Sequence, residues 1–313
     1  METPRIPLEI LVHLVLVVNS MHIFQPISLW YLTSLAVDFA ILMASIILFR
    51  YSMAWFVGVG AKHELDQRDN GAFGIAVAGG LAALMFIVAG AISGDAQMNV
   101  GMEATNVLIF TLVGFLLLKV TLLIQDRLLV SQLDLMAAIK GKNVAAGIVV
   151  GSNLVAIGII QFGALIWIEA DNWQGLIPFL IVFAAAQIAL ALVVVFQRLF
   201  VGWSQFGLEI EKDNRAVAIH YGGQVIGSAV AVLAASFLVL YTPTLVVNMF
   251  LAFLTASLVA VIVLWILAKA SVLVALAGIK LKDEINNQHN IALGSLMFSV
   301  YLGIGIVLLG LVL

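Results

Sequence analysis

The sequence predicts an all-α integral membrane protein, with eight transmembrane helices arranged as four parallel repeated helix hairpins. Composition is the first reason. Hydrophobic residues make up 64% of the chain and charged residues 10%, far from the roughly 45–50% and 25% of globular domains. Apolar runs of about 18 or more residues recur, each able to cross ~30 Å of hydrocarbon as a helix. The second reason is a repeat. An Asn, an Ile five residues on and a Gly eight or nine residues on occur as Asn70/Ile75/Gly79, Asn143/Ile148/Gly151, Asn214/Ile219/Gly222 and Asn286/Ile291/Gly294, with Asn-to-Asn spacings of 73, 71 and 72 residues. A period that regular signals one structural unit copied along the chain.

Residues 7–19 form an apolar run too short to span comfortably, so a surface-lying or re-entrant helix is expected there, with Pro7 suited to its first turn. The N-terminus has no basic n-region or small-residue cleavage site and is read as retained. The spans then follow at about 31–57, 71–93, 104–126, 144–168, 177–200, 216–240, 244–268 and 288–311. These divide into an outer-side segment at 1–30, a first membrane domain at 31–168 and a second at 169–313, each domain holding two hairpins. In every pair the first helix ends near a basic residue (Arg50, Arg127, Arg198 or Lys269), a mixed-charge connector follows, and the second helix opens on the Asn. Two spans per unit make the duplication parallel rather than inverted.

Thirteen of the fourteen Lys and Arg residues lie at the connectors or at the helix ends leading into them, Arg5 being the exception. Positive-inside asymmetry then puts the connectors in the cytoplasm and both termini outside. The four basic residues read as anchors that snorkel to the inner headgroups. Trp30, Trp167, Trp173 and Tyr241 are expected in an outer aromatic belt, and Tyr51, Trp55, Trp203 and Tyr221 in an inner one.

The repeated unit of charged connector, Asn, Ala/Val-Ile and Gly-Gly resembles the YjfL-type bacterial inner-membrane proteins, known as domain of unknown function 350. The best matches run from Asp213-Asn214 to Gly223 and from Asp69-Asn70 to Gly80, while Gly151-Ser152 and Gly294-Ser295 replace the Gly pair in the other two copies. The resemblance covers roughly residues 35–311 and implies a tandem of two domains in the bacterial cytoplasmic membrane. It also implies a link, through gene context, to membrane-stress proteins of the phage-shock type and to polyamine-linked ligases. It supplies no catalytic residue.

Asn70, Asn143, Asn214 and Asn286 stand where a side-chain oxygen satisfies an orphan helix N–H, so capping is expected of all four. The small residues behind them predict close helix packing. Asp38 is the leading intramembrane candidate, because a carboxylate inside a span calls for a partner, a cavity or a proton. Asn106, Gln187 and Thr255 occupy comparable positions in the matching helices and complete a candidate polar site, either a permeation path or interhelical hydrogen bonds. An ion pair between Asp38 and Lys119 is a further option. With no Cys, no His-x-x-x-His spacing and no nucleophile–base set, neither cofactor, metal nor enzyme activity is expected. The net charge of −3 gives no reason to expect nucleic acid. The anticipated partners are the bilayer and cytoplasmic membrane-stress proteins docking on the connectors; a homo-oligomer stays open. The alternative function is a channel or transporter with its path near Asp38.

Overall fold

A computed structural model describes residues 29–93, 99–129, 133–168, 173–200, 206–242 and 245–313. The apolar run at 7–19, Arg5 and Trp203 lie outside them. Among the described residues there is no strand, and eight helices are long and apolar enough to cross a membrane. They are α1 (Leu29–Val57), α2 (Gly71–Ile92), α3 (Val100–Leu129), α4 (Val144–Trp167), α5 (Leu176–Phe200), α6 (Arg215–Ser236), α7 (Val246–Ala275) and α8 (Ile291–Gly310). Seven run within about four residues of the expected span; α7 continues seven residues beyond its expected end at 268, to Ala275.

Between the members of each pair lies an elbow containing one short helical turn: His63–Gln67, Leu135–Lys140, Phe206–Glu211 and Leu281–Asn286. Every elbow ends the same way. A residue in the left-handed region (Asp69 at φ 47°, Lys142 at 68°, Asp213 at 57°, His289 at 54°) is followed by an extended Asn that caps the next helix. The left-handed residue reverses the chain, as it does at helix C-termini generally. The backbone N–H of the Asn then bonds back to Glu64, Ala138, Glu209 or Glu284 at 2.8–3.0 Å.

The capped helices α2, α4, α6 and α8 pack in a row, each against the next. Small residues make this possible. An added Cβ at Gly147 or Gly79 would strike the backbone of Ala72 or Gly151, and one at Gly158 would lie 2.5 Å from the Ala83 Cα. At Gly294, Gly227 and Gly305 the intruding atom would sit 2.6, 2.6 and 2.8 Å from the carbonyl oxygens of Ala216, Tyr301 and Gly227. Backbones this close gain dispersion contact, which drives helix association where lipid tails are as apolar as side chains. The flanking helices lie outside the row: α1 against α2 and α3, α3 also against α4, α5 against α7 and α4, and α7 against α6 and α8. Consequently α4 and α6 are largely buried, whereas α1, α7 and α8 keep broad exposed apolar surfaces, as a bilayer requires.

Candidate functional site: the interlocked elbows

The cap expected at Asn286 is instead made by Asn290. Asn286 is the last residue of the preceding short helix, while the Asn290 side chain accepts from the Leu293 N–H at 3.3 Å. The capping spacings are therefore 73, 71 and 76 residues. One extra residue lies in the elbow, where six residues separate Glu284 from Asn290 against five from Glu209 to Asn214; the other four lie before Glu284, which follows Glu209 by 75 residues where Glu209 follows Ala138 by 71. Asn70, Asn143 and Asn214 cap as expected, accepting from Phe73, Ala146 and Val217 at 3.1, 2.8 and 3.2 Å.

Each cap has a second task that its sequence position does not announce. The Asn70 amide donates to the Ile139 carbonyl at 3.0 Å, Asn143 to Ile210 at 2.7 Å, and Asn214 to Ile285 at 3.0 Å. Thus the cap of each unit reaches forward to the elbow of the next. The left-handed residues reach back. Lys142 donates to the Arg68 carbonyl, Asp213 accepts from the Ala145 N–H at 2.7 Å, and the His289 ring lies 3.9 Å from Glu209. These paired latches hold the four elbows together at one end of the bundle.

Glu64 and Glu209 stand beneath the latches, both buried. Glu64 accepts from Asn70 at 2.7 Å and from Arg68 at 2.9 Å; Glu209 accepts from Asn214 at 2.9 Å and from Lys212 at 2.8 Å. Burial pushes both carboxyls up, but the hydrogen bonds and neighbouring cations outweigh it and hold them below the usual glutamate value. Glu209 and Asp213 are thus structural parts of their elbow. Lys62, Asp66, Lys140, Glu211 and Lys282 remain exposed on the outer surface.

The intramembrane candidates are divided. Asp38 is 4% exposed, and its Oδ1 has no hydrogen-bond partner among the described residues. Glu103, in the first turn of α3, acts on it electrostatically, and buried Asn106 follows Glu103 by three residues. Asp38 lies nine residues inside α1, about 13 Å along the helix from its first residue. Lys119 is not its ion-pair partner; the ammonium sits 4.7 Å from the Phe49 ring centre, eleven residues and about 16 Å further along α1. Gln187 is half-buried on α5, its Nε2 unmatched among the described residues. Thr255 is exposed in an apolar cleft of about 590 Å³ lined by α6, α7, α8 and the residues Leu238 and Val312 just beyond two of them, so it does not join a ring with Asp38.

Among the anchors, Arg50 and Lys269 are exposed, and the Arg50 guanidinium lies 5.9 Å from the Tyr51 ring centre. The side chains of Arg127 and Arg198 lie outside the described residues. Tyr51 and Trp55 are exposed, but Tyr221 is not part of a belt. It is 2% exposed and donates to Asn153 Oδ1 on α4 at 2.6 Å, because its ring points along the helix row rather than toward the lipid. Two further polar contacts were missed: His220 with Gln224 at 2.9 Å, and Trp265 donating to Ser228 at 3.3 Å. The i, i+4, i+8 spacing of His220, Gln224 and Ser228 was the available signal.

Fold and elbows together define a polytopic helical membrane protein built from repeated Asn-capped units. The chain belongs to DUF350, a domain of unknown function, whose model matches it twice, over residues 26–165 and 171–312. No curated protein and no solved structure matches it.

Proposed function

We propose that this protein is a non-catalytic scaffold of the bacterial cytoplasmic membrane whose elbow surface docks a cytoplasmic membrane-stress protein. The observation that supports this is the chain of latches from Asn70 to Ile139, Asn143 to Ile210 and Asn214 to Ile285. Hydrogen bonds across four connectors make a rigid, preorganised surface, and preorganisation lowers the entropy cost of binding. The basic residues gathered at the connectors favour the cytoplasmic side for that surface and the outside for both termini. Charge reversal at Asp66 and Glu211 tests the reading, since both side chains are exposed and only the Glu211 main-chain carbonyl, which the substitution keeps, meets a latch. Loss of partner co-purification with unchanged membrane insertion is the expected result; full partner recovery sinks the proposal.

A second reading rests on Asp38, whose buried Oδ1 lacks a hydrogen-bond partner among the described residues while a second carboxylate, Glu103, stands near. Such a pair suits a cation on a path between α1 and α3. Reconstituted vesicles should then pass small cations, and Asp38→Leu should stop them. Equal flux in wild type and variant removes Asp38 from any such path.

A further inference from the structure

The three contacts between successive capped helices share one register. Counted from the capping Asn, position +9 of one helix meets position +8 of the next: Gly79 on Gly151, Ser152 on Gly222, and Gly223 on Phe298. In two of them, position +2 also meets +4, as Ala72 on Gly147 and Ala216 on Gly294. The polar latches repeat in step. This is a head-to-tail interface, and such an interface leaves both ends of its row unsatisfied unless another subunit meets them.

Both ends carry the matching surfaces. On α8, the forward positions +2, +5, +9 and +13 are Ala292, Ser295, Ser299 and Gly303. The first three are exposed, and an added Cβ at Gly303 would meet no described atom within 4 Å. On α2, the backward positions +4, +8 and +15 are Gly74, Ala78 and Met85, of which Ala78 and Met85 are exposed. The elbows agree. The Asn290 amide donates to Glu284 at 2.9 Å and, among the described residues, grips no other elbow. Leu65 occupies the place of Ile139, Ile210 and Ile285, all three buried, yet is itself 37% exposed. Asp69 holds the left-handed position from which Asp213 caps Ala145.

We propose that a second copy of this chain docks head to tail, its α2 lying on the α8 of the first. Asn290 then donates to the Leu65 carbonyl of the second copy, and the second copy's Asp69 accepts from the Ala292 N–H, as Asp213 does from Ala145. The contact continues the internal row and differs from a two-fold dimer, in which α8 would meet α8.

The absence of Cys from the chain gives the test a clean background. Full-length Ser299→Cys and Ala78→Cys variants, carrying different tags, are co-expressed in membranes and oxidised. A mixed disulfide between the two tags is expected, with none in either variant expressed alone. Adding Gly303→Trp to the Ser299→Cys chain should abolish it, because the equivalent positions Ala83 and Gly227 touch their neighbours closely, while the open space around Gly303 leaves the single chain room for the ring. Dimers of Ser299→Cys alone would overturn the proposal in favour of a two-fold contact. No cross-link at all, with both variants inserted normally, would also overturn it and leave the α8 surface to lipid or to residues 1–28.

Discussion

The Asn70 side-chain amide donates to the main-chain carbonyl of Ile139 at 3.0 Å, across 69 residues of sequence, while its oxygen caps its own helix at Phe73. One residue thereby starts a helix and joins two repeats. The same double use at Asn143 and Asn214 explains why Asn, rather than Ser or Asp, stands at these caps. Aspartate offers no donor and serine a single proton on the same atom that must accept, whereas the amide separates an accepting oxygen from an NH2 that gives two bonds, as Asn70 does to Glu64 and Ile139.

Asn214→Ala should therefore cost more than Asn290→Ala. The first removes a cap, strands buried Glu209 without one of its donors and cuts the tie to Ile285. A loss of roughly 2–4 kcal/mol is expected, against about 1–2 kcal/mol at Asn290, which caps its helix and donates to half-buried Glu284 but ties no second elbow among the described residues. Thermal unfolding in detergent reads the difference, and equal losses would deny the latch its energetic weight.

Gly227→Ala should destabilise by roughly 1–3 kcal/mol, since a Cβ there lies 2.6 Å from the Tyr301 carbonyl oxygen and α6 and α8 must separate. Gly303→Ala, with open space around it, should leave the melting temperature of the single chain unchanged or raise it. Reversal of that order would contradict the packing of the row.

Stability should fall in acid through the elbows. Glu64 and Glu209 have folded pKa values below the unfolded value of about 4.3. Their contribution is thus complete above that value and is lost as pH drops through the lower, folded ones. Melting temperatures measured from pH 7 to pH 3 should decline below about pH 4.5, and the Glu64→Gln, Glu209→Gln double variant should show a shallower decline. An identical slope would assign the acid sensitivity elsewhere.

Asp38→Leu should raise stability, by about 1–3 kcal/mol, because it removes a buried oxygen that has no hydrogen-bond partner among the described residues. Retaining such a group against that gain is the pattern of a functional residue. A melting temperature lowered by the substitution would mean that Asp38 supports the fold.

Much of this molecule was legible before any coordinate. Eight apolar runs fixed the number of spans, since segments without water must satisfy their own backbone and helices do so locally. Asn70, Asn143 and Asn214 could be read as caps because capping depends on residues three apart. The fourth unit could not be read this way. Asn286 and Asn290 both precede the same apolar run, and only the left-handed backbone at His289 shows which one begins the helix. The composition of Gly79, Gly147 and Gly227 announced close approach without naming the neighbour. Which helix meets which, that Asn70 grips Ile139, that Tyr221 turns inward to Asn153 and that Thr255 stands apart from Asp38 were decided by tertiary structure. Propensity and hydropathy act within a few residues along the chain, whereas those contacts join side chains separated by tens of residues and exist only after the helices have packed.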